Sequence, residues 1–312
     1  MVPRNNLVQL TLKYTYFRRI IQVNRRFWPL QMVIIHAAPE LGEFLQNLRL
    51  GGRRIGFVPT MGALHDGHAS LIRCAKRETD VVVLSIFVNP TQFNETADFT
   101  NYPKTTDADL NLARSEKVDV VFSPQVADVY GNEMRTEPTD YGSLTAAFEG
   151  ESRPGHFDGV VSVVRRLFNI VRPDVAFFGE KDLQQLAVIR HLAKLEFPEL
   201  EIFGCSLIRD DDGLALSSRN TRIPRDQRSH ALELHKALLE VAEASKSSGS
   251  LQAAIDRNLT RLQRNEHIEL EYFAAVDSKN FAVLQSEETS NQSFAIVAAV
   301  VAGVRLIDNC RL

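Results

Sequence analysis

From residue 32 onward, short apolar runs alternate with stretches in which apolar residues recur every three or four positions, the periods of a strand and an amphipathic helix in turn. The runs at 33–35, 55–58, 81–88, 118–122, 175–178 and 202–207 read as strands. Pro59 is expected to end the second by withdrawing a backbone donor. Helical spacing marks 39–50, 69–76, 160–171 and 182–195, and a capping-box pattern of Thr106 and Asp109 opens another helix that runs to about 117. The run at 81–88 is almost wholly apolar, as a strand covered on both faces must be. Such alternation predicts an α/β fold: a Rossmann-like, doubly wound parallel sheet whose ligands sit beyond the carboxyl ends of its strands.

Past residue 207 the pattern changes. Residues 209–221 are polar and turn-rich, 224–244 and 251–264 are helical by period, 245–250 reads as a linker, and 268–276, 294–301 and 304–307 are β-like. A second, smaller α+β domain is therefore expected at 208–312, after a Rossmann-like domain at 32–207. No internal repeat is evident.

Composition removes several classes of function. Hydrophobic residues make up 44% and charged residues 24%, and the net charge of -3 offers no basic surface for nucleic acid. No apolar run approaches the roughly 20 residues of a membrane span. Cys74, Cys205 and Cys310 are far apart and form no CxxC, so they imply neither a disulfide framework nor a zinc ribbon. Residues 1–31 carry Arg4, Lys13, Arg18, Arg19, Arg25 and Arg26, contain no serine, and precede the first acidic residue, Glu40. They read as an unstructured extension, with Met32 as the true start; a mitochondrial presequence is the alternative. The expected location is cytoplasmic, or mitochondrial if that alternative holds.

The chemistry collects at strand ends. In residues 57–68, FVPTMGALHDGH, an apolar strand breaks into a glycine-marked loop with His65 and His68, and a helix is expected to start near His68. Unpaired N–H groups at a helix start form an anion site, and two imidazoles at its mouth add donors. The Asp66-Gly67 turn between the histidines and the absence of HExxH argue for phosphate over zinc. Asn89 and Gln92 in NPTQF suit a hydroxyl or carboxyl group of a small substrate, or equally a turn with amide caps. Lys181 in GEKDLQQ follows Gly179 at a strand end, with Gln184 and Gln185 one turn on. Ser217, Ser218 and Arg219 in LSSRN offer a polyphosphate grip. Asp210, Asp211 and Asp212 read as a solvated turn and Asp107 and Asp109 as helix-capping residues, though either set could hold Mg²⁺ through water.

Taken together, PTMGALHDGH, SIFVNPTQF, NYPKT, RPGHFDGV, LFNIVRPDVAFFGEKDLQQL, DGLALSSRN and the terminal GVRLIDN resemble, in order, the segments of the pantothenate synthetase (pantoate–β-alanine ligase) family, from Met32 to the C-terminus. HxGH alone would indicate only the wider nucleotidyltransferase group. The resemblance implies a homodimeric, Mg²⁺-dependent enzyme that uses ATP to form pantoyl adenylate and lets β-alanine displace AMP. By similarity, His65, His68 and Lys181 serve the α-phosphate, and Ser217, Ser218 and Arg219 close over the β- and γ-phosphates. Met61, Gly179 and Asp182 contact the nucleotide, and Gln92 and Gln185 hold pantoate. Asn89 and His156 line the pocket, and Asp109 is the candidate metal ligand. Leu216 and Asn94 depart from the family's usual methionine and glycine. No base for the β-alanine amine is evident; water or product phosphate is the expected acceptor. The rival readings are a nucleotidyltransferase acting on a phosphorylated acceptor and a non-catalytic nucleotide-binding module.

Overall fold

The structure, a computed structural model, describes residues 31–92, 99–100, 102–132, 134–247, 250–284 and 289–312. The expectations for residues 1–30 and for Phe93 and Asn94 lie outside these residues.

Six strands form one parallel sheet: β1 (Val33–Ile35), β2 (Ile55–Thr60), β3 (Val81–Ile86), β4 (Val120–Phe122), β5 (Val175–Gly179) and β6 (Glu201–Cys205), in the order β1-β4-β3-β2-β5-β6. From β2 the chain winds outward through β3 and β4, then crosses back to place β5 on the other side of β2. That reversal is the switch point at which open α/β sheets bind ligands. The two strands pair at Gly56 with Val175 and Phe57 with Ala176, and their carboxyl ends run on to Thr60 and Gly179.

The crossing elements are α1 (Ala38–Leu50), α2 (Asp66–Glu78), α3 (Thr106–Ser115), α4 (Val126–Tyr130), α5 (Ser143–Ala146), α6 (Glu149–Ser152), α7 (His156–Val171) and α8 (Leu183–Glu196). Of these, α7 buries one whole face, and its Phe168 packs edge-on against Phe57, Phe178 and Phe197 at 5.4–6.5 Å. Truncating such a buried ring to alanine costs about 3–5 kcal/mol, so Phe168 is a principal tie between α7 and the sheet.

Beyond β6 lie α9 (Arg228–Lys246), α10 (Leu251–Gln263) and an antiparallel sheet of β7 (Ile268–Asp277), β8 (Ser293–Val301) and β9 (Val304–Arg311). The period-2 geometry of a strand divides their side chains between two cores. Phe273, Ala275, Ala295, Val297 and Ala299 pack with the helices α9 and α10. Val276, Phe294 and Ile296 join the core of the large sheet. Because both its faces are covered, β8 reads as an unbroken apolar run. Phe148 completes the junction, edge-on to Tyr272 and Phe281 at 5.2 and 6.2 Å.

Several boundaries differ from the expected ones. Pro59 does not end β2; it pairs in register with Ser85. Thr60 accepts from Phe87 on the β3 side, so Pro59 faces the other way, past the two residues where β2 meets β5, and its missing N–H breaks no ladder bond. The helix after β2 starts at Asp66 rather than His68. The N-cap of α3 is Thr105, not Thr106. The first long helix of the C-terminal region starts at Arg228, past the turn that Pro224 opens, and runs on to Lys246. The short helices α4, α5 and α6 carry too few periodic residues to be read from sequence. Among the described residues, no helix is long and apolar enough to cross a membrane.

Candidate active site

The loop after β2 is held from below. Thr60 donates its hydroxyl to the Ser85 carbonyl at 2.6 Å and accepts the Gly62 N–H at 3.2 Å. Gly62 and Ala63 both have positive φ, 81° and 49°. A Cβ at Gly62 would also stand 2.9 Å from the Asp109 carboxylate, so only glycine fits. Ala63 has no such freedom, and its left-handed backbone costs about 1–2 kcal/mol. Asp109 offsets this by accepting the N–H of Ala63 at 3.0 Å and of Leu64 at 2.8 Å, while Thr105 donates its hydroxyl to the same carboxylate at 3.0 Å. The carboxylate proposed from sequence as a metal candidate is thus 2% exposed and engaged by three donors. It braces the loop.

The two histidines form a reciprocal cap on α2. Gly67 donates its N–H to His65 Nδ1 at 3.1 Å, and His65 donates its own to His68 Nδ1 at 3.3 Å. Burial lowers both pKa values. Lys181 adds to the effect at His65, and at His68 burial and the neighbouring His65 bring the value to about 3. A neutral imidazole that accepts at Nδ1 must carry its proton on Nε2. Both rings therefore present Nε2–H donors at a helix N-terminus, 4.2 Å apart between centroids.

At the facing strand end, β5 passes through Gly179 into a 3₁₀ turn, Glu180–Asp182, that carries Lys181; its ammonium lies 3.8 Å from Asp182. From the start of α7, His156 faces the carbonyl of Gln92 at 3.3 Å and Arg153 at 3.1 Å. Arginine can only donate, so His156 Nε2 accepts and Nδ1 carries the proton to Gln92. Burial and Arg153 depress its pKa to about 4. The third wall is the 217–220 loop, folded by the bond from the Arg219 N–H to Ser217 Oγ at 3.2 Å and from Asn220 Nδ2 to the Ala215 carbonyl at 2.9 Å.

These walls enclose a cavity of about 270 Å³. It is lined by Met61, His65, His68, Gln92, His156, Gly179, Lys181, Asp182, Gln185, Ser217, Ser218 and Arg219, which the fold draws together from segments far apart in sequence. A second cavity of about 590 Å³ shares Arg153, Lys181, Asp182, Ser217 and Arg219 with it. Asn89 is not among the lining residues. It is 1% exposed, donates to the Gly159 carbonyl at 3.3 Å and accepts from Tyr130 and Thr91. Of the two open readings of Asn89, the structure realises the turn-holding one. Gln184 is likewise turned away, donating to the carbonyls of Leu144 and Ala147. The acidic turn is tied down by Arg228, which grips Asp210 and Asp212.

Sequence reasoning passed over Arg153, Tyr102 and the valines of α7. Val160, Val163 and Val164 form an apolar wall of the cavity. Their spacing is also that of a core face, and burial against the sheet would demand the same residues. Gly159 was a signal: a Cβ there would stand 2.2 Å from the Thr91 carbonyl, which marks α7 as packed hard on the NPTQ turn.

Residues 33–311 match the model of the family described as pantoate-beta-alanine ligase. A protein of Christiangramia forsetii named pantothenate synthetase is 42% identical over 273 residues, 86% of this chain and 95% of that one. Among solved structures, the pantothenate synthetase of Thermus thermophilus superimposes with a TM-score of 0.83 at 39% identity, covering 90% of this chain and 99% of its own. The pantoate-beta-alanine ligase of Francisella tularensis, complexed with beta-gamma ATP and beta-alanine, gives 0.72 at 35% identity, covering 90% and 98%.

Proposed function

The chain belongs to the pantoate-beta-alanine ligase family and carries out the ATP-dependent ligation of pantoate to β-alanine; we propose that it does so through a pantoyl adenylate formed in the cavity between His65, Lys181 and Arg219. The observation that carries this reading is the pair of Nε2–H donors on His65 and His68, fixed by backbone bonds and sharing one cavity with Lys181. In the first step the pantoate carboxylate attacks the α-phosphorus, and negative charge grows on the phosphoryl oxygens and on the leaving pyrophosphate. Donors already aimed at those oxygens need no reorganisation, and each is worth about 3 kcal/mol in the transition state. Ser217, Ser218 and Arg219 supply the β,γ end. Gln92 and Gln185 pair with the hydroxyls and carboxylate of pantoate, and Val160 and Val163 receive its geminal methyl groups.

In the second step the amine of β-alanine attacks the acyl carbon and AMP departs. Neutral His156 is spent on Arg153 and Gln92. We assign the proton to water or product phosphate.

Among the described residues no group of three or more His, Cys, Asp or Glu side chains is placed to cage a metal. A hard cation that keeps its waters and binds mainly through phosphates suits such a site, and the half-exposed Asp182 on the cavity wall is the carboxylate in position to assist. Mg²⁺ bound there with ATP would neutralise polyphosphate charge. We also propose that residues 208–312 close over ATP and that the enzyme works as a homodimer.

The test is isotope exchange between pyrophosphate and ATP. Exchange should require pantoate, and AMP should accumulate only when β-alanine is added. Exchange without pantoate would overturn the assignment of the first step.

A further inference from the structure

Two walls of the phosphate cleft are tied to one dipeptide far along the chain. In β9, the Asn309 side-chain amide donates to the carbonyl of Glu180 at 2.8 Å and of Lys181 at 3.1 Å. Asn309 is 6% exposed, so these bonds are sheltered from competing water. The turn they fasten is a single 3₁₀ turn, Glu180–Asp182, and short 3₁₀ pieces have poor internal hydrogen-bond geometry. The amide of Asn309 satisfies carbonyls that this turn would otherwise expose, and so sets the backbone from which the Lys181 side chain departs.

The preceding residue grips the opposite wall. Asp308, also 6% exposed, accepts both nitrogens of the Arg209 fork at 2.7 and 2.9 Å. The same guanidinium donates to the carbonyls of Gly213 and Asn309, each at 3.0 Å. Arg209 bridges to Ala215, and the Leu216 N–H returns to the Ile208 carbonyl at 3.0 Å, immediately before Ser217. A bidentate arginine–carboxylate pair fixes orientation as well as distance. The loop that presents Ser217 and Arg219 is thereby held to the same strand as the Lys181 turn.

We infer that Asn309 and Asp308 are positioning residues for adenylate formation: Asn309 sets Lys181, and Asp308, through Arg209, sets the 217–219 loop against it. This rests on the role proposed above for Lys181. Neither residue lines the 270 Å³ cavity, and where Asp308 borders the adjoining one its carboxylate is spent on Arg209. Their effect falls on the relative placement of two groups that must meet one polyphosphate, where a misplacement of about 1 Å costs on the order of 100-fold in rate.

The experiment is a double-mutant cycle in pantoate-dependent pyrophosphate exchange. Asn309→Asp is isosteric and removes both donors; Asn309→Ala removes them without adding a charge. Asn309→Gln keeps the donors on a longer stem. Rates are taken per folded enzyme, with thermal unfolding followed alongside, so that a fold defect in one variant is separated from a rate defect in the others. The inference expects Asn309→Asp and Asn309→Ala to lower kcat about 10- to 100-fold with little change in KM for ATP or pantoate. Asn309→Gln should recover part of the loss, and Asn309→Ala should add almost nothing in a Lys181→Ala background. Losses that multiply in the double variant, or a lowered Tm with an unchanged rate per folded enzyme, would overturn it. If Lys181→Ala alone keeps the full rate, the role of Lys181 fails and the inference with it. If Lys181→Ala is slow while Asn309→Asp is not, only the inference fails.

Discussion

The carboxylate of Asp109, on the first turns of α3, accepts the backbone N–H of Leu64 at 2.8 Å and reaches the neighbouring Ala63 at 3.0 Å. A buried acid thus holds the histidine loop in shape from a different crossover. Asp109→Ala leaves two backbone donors unpaired beside a left-handed Ala63, and each such group costs about 1–3 kcal/mol. The expected result is a destabilisation of about 2–4 kcal/mol in urea unfolding together with a fall in kcat. The Mg²⁺ concentration giving half-maximal rate should stay where it is in Asp109→Asn. A large rise in that concentration would restore Asp109 as a metal ligand.

Neutral Nε2–H donors carry a distinct pH signature. Were imidazolium ions required at His65 and His68, the first half-reaction would slow as pH rises through their pKa values. Both values are depressed, that of His68 to about 3, so the exchange rate should not fall between pH 6 and 8 for that reason. Pantoate-dependent pyrophosphate exchange is the suitable assay, because the amine of β-alanine takes no part in it. A decline across pH 6–8 in wild type that vanishes in His65→Ala would contradict the tautomer assignment.

Removing a donor aimed at the transition state lowers turnover more than binding. His65→Ala and Lys181→Ala should each reduce kcat by about 10²- to 10³-fold while leaving the affinity for ATP within a few-fold. Isothermal titration with a non-hydrolysable ATP analogue supplies the affinity. Equal losses in both quantities would mean that these groups grip ground state and transition state alike.

Acid should lower the stability of the protein through two sets of groups whose pH windows overlap. His68 and His156 are held neutral when folded, near 3 and 4, but titrate near 6.5 when unfolded. Below pH 6.5 the unfolded chain binds the extra protons, and stability falls as pH drops toward those values, by roughly 1.4 kcal/mol per unit for each histidine. Above pH 6.5 they contribute no pH dependence. Glu149 behaves separately: burial would raise its pKa, but the hydrogen bonds and charge of Arg305 outweigh burial and hold it at about 2. Its contribution is whole above its ordinary 4.5 and is lost as pH falls from there to about 2. Urea midpoints measured from pH 7 to 3 should show the histidine slope first, and a His156→Gln variant should lose part of it.

The junction between the two sheets carries a buried charge cluster. Glu149 accepts both Arg305 nitrogens, at 2.9 and 2.6 Å, and the Tyr272 hydroxyl at 2.7 Å. Glu149→Ala leaves Arg305 with Glu271 as its remaining partner. Breaking one side of a buried pair costs about 3–5 kcal/mol, and Glu271 should bring the loss to the lower end. Calorimetric unfolding gives the value; a loss below about 1 kcal/mol would place the pair with ordinary surface bridges.

Much of this architecture was legible along the chain, because strand and helix write different periods into their apolar residues. The parallel sheet, the strands of the smaller α+β region and the clusters at 61–68, 179–185 and 216–220 all follow from period and punctuation. The convergence of the first two clusters was predictable as well, since strands of one parallel sheet end at one edge; the 216–220 loop lies beyond the last strand of that sheet, and the fold brings it to the same cavity. What periodicity could not separate was duty. Val160 and Val163 line the cavity while sharing the spacing of core residues. Asn89 and Asp109 lie within functional-looking motifs but turn inward to satisfy backbone groups. The direction of a polar side chain depends on which unpaired N–H or C=O the fold leaves within its reach, and that partner is often tens of residues away. For the same reason the coupling of Asn309 to Lys181 has no trace in local sequence. Residue types and their order determined the fold class, the family and the chemistry available; tertiary packing alone decided which of those groups face the substrate and which hold the others in place.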